Sequence, residues 1–563
     1  MNETGSTGNE TRAIVAILLS LAVFWIWSSW LAPKPPAPTP EPSPEASAEA
    51  PEGPLTPPSE GLTEPAVAEP AVAEAPTPVL PEEKGAFQAQ GWNGEWTTRG
   101  GVIRGLELPD YPSSTEVHTL YGWIWDRIRG RTTEAWHPYE QSAEPARALS
   151  AAGAMGLAGG METGFRDGDY VASETGENQA VFQRVTPVGL RIVKTWNPST
   201  EPYLGRLVVR FENTATSPLT GPLWVGVADH VEGTASRYAN VSRPASVVDG
   251  SLETEDKIKD ILGTPVIRPG PVSWIGSGSR YFLAALIPED PAWGTLTAYA
   301  QSEDHAGVYL VAQDVTLAPG QAREIAFDVY CGPKSHKLLA KIGHDLDRSV
   351  QFGWFGFFAR ILLWLMQAFQ TVLKNWGLSI IALTVFVKLA FYPLTQSSMR
   401  SSRTMQRIQP LLTAIKEKYK DDRDLQTQET MKLFKEHKVN PLGGCLPMLI
   451  QLPVWIALYN VLLYSVDLYH SRFLVWRDLT TSDPYAVLPI LVGVLMFLQQ
   501  KMTPMTGMDP TQAKMMRWMP LIFVFFMFGF PSGLGIYIVV NSVLSILQQW
   551  FINRGGRPAP KPA

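Results

Sequence analysis

The sequence predicts a polytopic α-helical membrane protein with six transmembrane helices and a large all-β domain outside the membrane. Apolar residues make up 45% of the 563 residues, and they concentrate in Ala13–Leu31 and again after Phe352. Such runs are typical of transmembrane helices. The chain between them alternates short apolar and polar runs, which is typical of β-strands. Lys and Arg cluster in polar segments between the later apolar runs, and this distribution predicts the side of each loop.

The N-terminal apolar run, Ala13–Leu31, is long enough to cross a bilayer. Trp25 and Trp27 lie where signal-peptide cleavage would need small residues. Residues 1–32 are therefore predicted to be an uncleaved signal-anchor transmembrane helix. Residues 33–85 are predicted to be a disordered Pro- and Glu-rich linker, because a segment of this composition cannot bury enough apolar surface to fold.

Residues 86–345 are predicted to form one large β domain. Runs such as GLRIVKTW, GRLVVRFEN and GVYLVAQDVTL alternate apolar with polar residues, and Gly, Pro, Asn and Asp separate them. This pattern is typical of an antiparallel sandwich, although it does not define the strand order. His118, His137, His230 and His305 are scattered through the domain, and scattered histidines are more often structural than catalytic. A sugar-binding or epimerase-like site stays open as an alternative.

The next apolar run, Phe352–Leu373, carries its polar residues on one helical stripe about 80° wide. A helix of this kind is typical of the membrane interface. We therefore predict that residues 346–375 form an interfacial amphipathic helix, and a further span with one snorkelling arginine is the alternative. The stripe consists of Gly353, Gly356, Arg360, Gln367, Thr371 and Lys374.

Basic residues favour the interfacial interpretation. Residues 396–440 are short and rich in Lys and Arg, and such loops stay in the cytoplasm. With a cytoplasmic N-terminus, the first span leaves the cytoplasm and the second, at residues 376–395, returns to it, so that residues 396–440 are cytoplasmic. Residues 396–440 are predicted to form a helical hairpin. Residues 441–553 would hold the remaining spans, Leu442–Ser465, Tyr485–Gln500, Met515–Phe530 and Leu534–Ile552, before a short basic cytoplasmic tail at 554–563.

Lys388 lies inside the second span, where a charge costs roughly +2.5 to +3.5 kcal/mol. None of the six predicted spans contains Asp or Glu, so the sequence offers no ionised partner there. Lys388 stays charged only if its face is hydrated, and Thr384 shares that face at i, i+4. A second polar stripe in the last span consists of Tyr537, Asn541, Ser545 and Gln548. Helix–helix hydrogen bonding explains many such stripes, but Lys388 predicts a water-containing cavity that opens to the cytoplasm.

The sequence lacks the motifs of several common enzyme and transporter classes. Walker A, HExxH and GxSxG motifs are absent. The absence of intramembrane carboxylates argues against proton pumps and most cation-coupled transporters. We therefore expect no catalytic residue, no cofactor and no metal site. A membrane-anchored periplasmic carbohydrate-active enzyme and a small-solute transporter are the alternatives to be tested.

Four membrane segments carry long motifs. They are VFVKLAFYPLT in the second span, VNPLGGCLPMLIQLPVWIALYNVL at Val439–Leu462, LPILVGVLMFLQQKMTP at Leu488–Pro504 and FPSGLGIYIVVNSVLSILQQ at Phe530–Gln549. These segments closely resemble the YidC-type membrane protein insertases of the Oxa superfamily. The β domain resembles the large periplasmic domain of Gram-negative members through TTRGGVIRGLELPDYP at Thr97–Pro112 and RYFLAALIPED at Arg280–Asp290.

The resemblance implies an insertase and chaperone for membrane proteins that works without ATP. Its five-helix core would enclose a hydrophilic groove open to the cytoplasm and lipid and closed to the outside. The β domain would be a supersandwich similar to those of carbohydrate-processing enzymes, without their activity. By resemblance Lys388 takes the place of a groove arginine, Thr384 matches a groove threonine, and Tyr537 matches the first of two tyrosines, the second being Ile538 here. The predicted substrate groove comprises Lys388, Thr384, Tyr537, Asn541, Trp455 and Gln451.

The resemblance also implies partners and a location. The expected partners are nascent membrane proteins, the Sec translocon, the ribosome and signal-recognition-particle machinery, and the lipid bilayer. The chain would act as a monomer in the bacterial inner membrane, with both termini cytoplasmic and the β domain periplasmic. The tail carries only Arg554, Arg557 and Lys561, so we expect its ribosome contact to be weak and salt-sensitive.

Overall fold

The computed structural model describes residues 81–554, apart from 114–115, 118, 130–136, 141–144, 150–152, 162–167, 177–178, 232–241, 421, 438–445 and 503–509. The predicted signal-anchor helix, nearly all of the predicted linker and all but the first residue of the predicted tail lie outside the described residues.

The described part of the β domain contains twenty strands. They are β1 (Lys84–Ala89), β2 (Trp92–Thr97), β3 (Val102–Pro112), β4 (Glu116–Val117), β5 (Tyr139–Glu140), β6 (Pro145–Arg147), β7 (Ala154–Gly160), β8 (Val171–Gly176), β9 (Gln179–Val185), β10 (Leu190–Pro198), β11 (Leu204–Asn213), β12 (Leu219–His230), β13 (Arg243–Val248), β14 (Ser251–Thr254), β15 (Val266–Arg268), β16 (Val272–Gly278), β17 (Phe282–Pro288), β18 (Thr295–Ser302), β19 (His305–Leu317) and β20 (Ala322–Pro333).

These strands form a β-sandwich. The first sheet has the order β1-β2-β3-β7-β12-β19-β18-β15, with β6 paired to β3. The second has the order β14-β13-β16-β17-β20-β11-β10-β9-β8, and β4 pairs only with β5. All of these pairings are antiparallel, as the alternating sequence pattern predicts for strands joined by short turns. Side chains from both sheets meet in one large apolar core.

The alternation of β10 shows how the sequence builds this core. Leu190, Ile192 and Trp196 point inward and are fully buried, and Trp196 is the register partner of Leu207 on β11. Lys194 occupies an inward position on the same strand. Its Nζ lies 4.4 Å from the centroid of the Tyr170 ring and 2.5 Å from a backbone oxygen, so the buried ammonium group is compensated.

The described residues contain ten α-helices. They are α1 (Leu120–Ile128), α2 (His336–Ile342), α3 (Gly356–Leu373), α4 (Trp376–Ala390), α5 (Tyr392–Lys418), α6 (Arg423–Glu436), α7 (Leu446–Tyr464), α8 (Val487–Met502), α9 (Pro510–Met527) and α10 (Ser532–Arg554). The helical core consists of α3, α4 and α7 to α10: α3 packs on α4 and α7, α4 packs on α10, α10 packs on α7 and α8, and α8 packs on α9. The helix pair α5–α6 encloses its own small cluster of Ile408, Leu412 and Leu433.

The helix that carries Lys388 ends earlier than predicted. The sequence placed a span at residues 376–395, but α4 ends at Ala390 and α5 begins at Tyr392. Pro393 falls in the first turn of α5, where its missing N–H costs no hydrogen bond, whereas within a continuous helix it would remove one. Lys388 therefore lies in the last turn of α4, which is a favourable position for a cation beside the free carbonyl groups of a helix end.

Length and composition identify two candidate membrane spans among the described residues, Gly356–Leu373 and Ser532–Phe551. Four other apolar helices are shorter. They are Trp376–Ala390, Gln451–Tyr464, Val487–Met502 and Trp518–Met527.

The loop at residues 465–486, which we call the junction loop, joins α7 to α8 and contacts the β domain. The hydroxyl of Tyr469 donates to the carbonyl oxygen of Pro112 at 2.9 Å, and the ring of Tyr469 lies 4.8 Å from that of Tyr281. The backbone N–H of Leu120 donates to the carbonyl oxygen of Pro484 at 2.8 Å. The end of the helical core from which this loop extends therefore faces the β domain.

A buried carboxylate shapes the junction loop. Asp483 accepts hydrogen bonds from the indole N–H of Trp476 at 2.8 Å and from the backbone N–H groups of Tyr485 and Leu488 at 3.0 and 2.7 Å. The last of these lies in the first turn of α8, so Asp483 satisfies a donor that the helix cannot satisfy itself.

Asp483→Ala should destabilise the folded chain by about 2 kcal/mol, because it leaves the buried indole N–H and the helix N–H without an acceptor. Thermal unfolding of the purified protein in detergent measures the effect. Glu436→Ala, which removes an exposed carboxylate, is the control and should change stability by less than about 0.5 kcal/mol. Equal melting temperatures for both variants would contradict this role of Asp483.

Candidate functional site

Side chains of the helical core are more buried at the end that faces the junction loop than at the other end. On α10, all residues from Ser532 to Ile538 are buried, whereas among the described residues beyond Ile538 only Ser542 and Ser545 are buried. The same change occurs on α4, where Leu389 is 67% exposed, and on α8, where no described residue after Val492 is buried. The burial of these three helices therefore decreases away from the β domain.

Lys388 lies where the burial of the helical core begins to decrease. Its Nζ donates to the Oγ atom of Ser545 on α10 at 2.8 Å, and that hydroxyl donates to the backbone oxygen of Asn541 at 2.7 Å. Within the described part of the chain Lys388 forms no ion pair. An ammonium group has three donors, and Ser545 accepts one of them. The cation of α4 is thus held against α10 by a neutral partner, with donor capacity to spare.

Tyr537 and Gln451 form a second polar contact between helices. The amide Nε2 of Gln451 on α7 donates to the phenolic oxygen of Tyr537 on α10 at 2.8 Å, and Tyr537 is almost fully buried. One turn along α7, Trp455 stacks on Tyr459 with ring centroids 6.4 Å apart and meets the edge of Phe530 at 6.3 Å. This cluster lies on the more buried side of the Lys388 contact.

Two of the predicted groove residues differ in their hydrogen bonding. Thr384 is buried, and its hydroxyl donates to the backbone oxygen of Ile380 in its own helix at 2.7 Å. Its donor is therefore used within α4, and this hydrogen bond is the local kind that Thr often makes within helices. By contrast, the side-chain Oδ1 of Asn541 is buried without a hydrogen-bond partner among the described residues. Such an acceptor calls for a water molecule or a bound group.

Sequence reasoning left two residues out of the groove assignment. Ser545 is the hydrogen-bond partner of Lys388, and Gln548 has a buried Nε2 without a partner among the described residues. Both belong to the polar stripe that the sequence predicts on the last span. Their spacing from Tyr537, at i+8 and i+11, was the available signal, because it places them on one face of α10.

Comparisons with known proteins agree over most of the chain. A family model described as 60Kd inner membrane protein matches residues 368–559, and one described as YidC periplasmic domain matches residues 161–365. Membrane protein insertase YidC from Syntrophus aciditrophicus is 34% identical over 97% of this chain and 99% of its own length. The protein of that name from Geobacter metallireducens is 32% identical over 97% of this chain and 98% of its own length.

A crystal structure described as an active YidC insertase with the first transmembrane domain resolved is also similar. It covers 84% of this chain and 93% of its own, with 19% sequence identity and a TM-score of 0.36. The two family models correspond to the two parts of the fold, because one matches most of the β-sandwich and the other matches most of the helical core. The chain belongs to the YidC family of membrane protein insertases, which are inner-membrane proteins with a periplasmic β-sandwich domain.

Proposed function

We propose that this insertase moves client segments through the cavity between α4, α7 and α10, with Lys388 as the central positive charge. One observation supports the proposal: burial of the helical core decreases from the end facing the β domain to the opposite end, and Lys388 lies at the transition. A cavity closed at one end admits a polar segment from the other side without forming a continuous pore. This geometry suits insertion of a client segment from one side.

The cavity has the polarity that a client segment needs. The unpartnered side-chain atoms of Asn541 and Gln548 require hydrogen bonds, and water supplies them when no client is bound. Lys388 keeps two donors beyond its contact with Ser545, and these can bind carboxylate or carbonyl oxygens of a client. A polar client segment therefore exchanges bulk water for hydrogen bonds in the cavity, which lowers the cost of entering the membrane.

Apolar surface provides the driving force for the remaining step. Once the polar segment occupies the cavity, the client's hydrophobic helix leaves between α4 and α10 into lipid, where burial of its apolar surface is favourable. Short helices shorten the path. α8 has 16 residues, about 24 Å at 1.5 Å per residue, whereas the hydrocarbon core is about 30 Å thick, so the bilayer thins around it.

The wider organisation that we propose has six transmembrane helices, five of them in the core, and cytoplasmic termini. The signal anchor and linker occupy residues 1–85, the β domain is a periplasmic supersandwich at 86–345, and the hairpin at 396–440 meets clients first. The monomer would work alone or beside the Sec translocon, with the ribosome and signal-recognition-particle machinery as further partners through a weakly binding tail. No cofactor or catalytic residue is needed, because partitioning drives each step.

In vitro insertion tests this function directly. The purified chain in proteoliposomes should protect the translocated segment of a small Sec-independent client from added protease, and empty liposomes should not. A transporter would instead show solute flux without client protection, and a carbohydrate-active enzyme would turn over sugars without either. If folded, correctly oriented protein did not protect the client, the proposal would be refuted.

Contacts at both ends of α3 support an interfacial position for this helix. The side chain of Asn460, one turn before the end of α7, donates to the carbonyl oxygen of Phe352 at 2.8 Å, just before α3 begins. Just after α3 ends, the side chain of Asn375 donates to the carbonyl oxygen of Arg472 at 3.4 Å. The two ends of α3 thus contact the same end of the helical core, although the helix is about 27 Å long. Its length would permit a crossing, but these contacts suit a helix lying along the outer interface.

Cysteines placed at the two ends of α3, Gln351→Cys and Lys374→Cys, should both react with a membrane-impermeant maleimide added from the periplasmic side. The parent protein carries Cys445→Ser, and Cys331 is fully buried, so background labelling should be low. Lys435→Cys on α6 is the matched control and should react only after the membrane is permeabilised. Labelling of the two α3 positions from opposite sides would show that α3 crosses the bilayer.

A further inference from the structure

We propose that the β domain carries a binding site for a divalent transition metal of the Zn²⁺ type, formed by His230, Asp304 and His305. His230 ends β12 and His305 begins β19, and the two residues are direct register partners in the first sheet. Opposed residues in antiparallel strands project to the same face with Cβ atoms about 4.5–5.5 Å apart. The two imidazole centroids are accordingly 5.0 Å apart.

Asp304 supplies a carboxylate between the two rings. It lies in the short turn that joins β18 to β19, and its oxygens are 4.0 Å from Nδ1 of His230 and 3.7 Å from Nδ1 of His305. One ligand atom from each residue can be chosen so that all three lie within 4.8 Å of one another. On a tetrahedral Zn²⁺ ion with bonds of about 2.0–2.2 Å, two ligand atoms are about 3.4 Å apart. Side-chain rotations that shorten the longest separation by about 1.4 Å would therefore close the site.

The backbone holds the three ligands near this arrangement before any metal binds. The N–H of Val231 donates to the carbonyl oxygen of Asp304 at 2.7 Å, which ties the end of β12 to the turn. The hydroxyl of Ser302 donates to Oδ1 of Asp304 at 2.5 Å and orients the carboxylate. The side chains of Asp304 and His305 are about half exposed, so an ion can reach them from solvent. The site is thus positioned by β-sheet register while its ligands keep freedom to rotate.

The donor set selects the class of ion. Two imidazole nitrogens and one carboxylate suit Zn²⁺ and neighbouring transition metals, whereas Ca²⁺ and Mg²⁺ prefer oxygen ligands throughout. Three protein ligands leave a coordination position for water. A bound ion would connect β12 with the β18–β19 turn and would stabilise the folded domain by an amount that grows with the logarithm of the free metal concentration.

The experiment uses the full-length chain in detergent, without a polyhistidine tag and stripped of metal. Zn²⁺ is titrated against a chromophoric chelator, and Co²⁺ binding is followed by its visible absorption. We expect one site in the unsubstituted chain, a loss of affinity of at least about tenfold in His305→Ala and in Asp304→Asn, and loss of the Co²⁺ absorption band in His305→Ala. Thermal unfolding in the absence of metal shows whether each variant is folded.

His437→Ala, which removes an exposed imidazole at the end of α6, is the matched control and should leave Zn²⁺ affinity unchanged. His305 and Asp304 are the preferred positions because both are more exposed than His230, so their substitution should disturb the fold least. The proposal is overturned if the unsubstituted chain binds no Zn²⁺, or if folded His305→Ala and Asp304→Asn bind Zn²⁺ as tightly as the unsubstituted chain.

Discussion

Lys388→Glu should abolish insertion of clients whose translocated segment is acidic, Lys388→Ala should reduce it at least about tenfold, and Lys388→Arg should preserve it. The reason is charge. Two unit charges at 4 Å interact by roughly 4 kcal/mol at an effective dielectric constant of 20. Losing a third of this energy already weakens binding of the acidic segment about tenfold. Arginine keeps the positive charge, whereas glutamate replaces attraction by repulsion. Insertion of clients with short, uncharged translocated segments should decrease much less, because partitioning of their apolar helix into lipid drives it.

The measurement compares two clients that differ only in the acidity of the translocated segment, in proteoliposomes and in a complementation assay. Ser545→Ala is the companion variant, because it removes the hydrogen-bond partner of Lys388 while leaving the charge in place. We expect it to retain most insertion of both clients. If Lys388 served only to anchor α4, Lys388→Ala would insert both clients as well as the unsubstituted protein, and the groove charge would have to be abandoned.

Trp196→Ala should destabilise the β domain by about 3–5 kcal/mol while leaving insertion by the helical core intact. Trp196 is fully buried between the sheets, and Phe87 meets the edge of its ring at 6.5 Å. Gly156, at a φ of +79°, lies so close that a Cβ there would be 2.5 Å from Cζ2 of Trp196. Removing the indole leaves a large cavity in this tightly packed region, and such cavities account for losses of this size.

Calorimetry of the purified chain resolves the unfolding of the β domain, and insertion is assayed at a temperature at which only the variant domain is unfolded. Trp196→Phe is the matched control: it keeps most of the ring and removes an indole N–H that has no partner among the described residues, so its cost should be below about 1.5 kcal/mol. Loss of insertion in Trp196→Ala but not in Trp196→Phe would show that the β domain takes part in insertion.

The sequence alone determined the properties that depend on local periodicity and composition. Alternation with period 2 is enough to identify strands such as β10, because inward positions must be apolar or compensated. Long apolar runs and basic segments similarly identify the helical core and the hairpin of α5 and α6. The motifs shared with relatives identified the family. Lys388 stood out because a charge among apolar neighbours is costly whatever the tertiary arrangement.

Only the tertiary structure decided which side chains meet. Lys388 and Ser545 are 157 positions apart, and Gln451 and Tyr537 are 86 apart, so their contacts depend on how α4, α7 and α10 are aligned. Thr384 shares the sequence face of Lys388, yet its hydroxyl bonds to its own helix. His230 and His305 look scattered along the chain, but the register of β12 with β19 makes them neighbours. Local pattern defines which face of an element is buried, whereas the relative register of elements distant in sequence follows from packing the whole core.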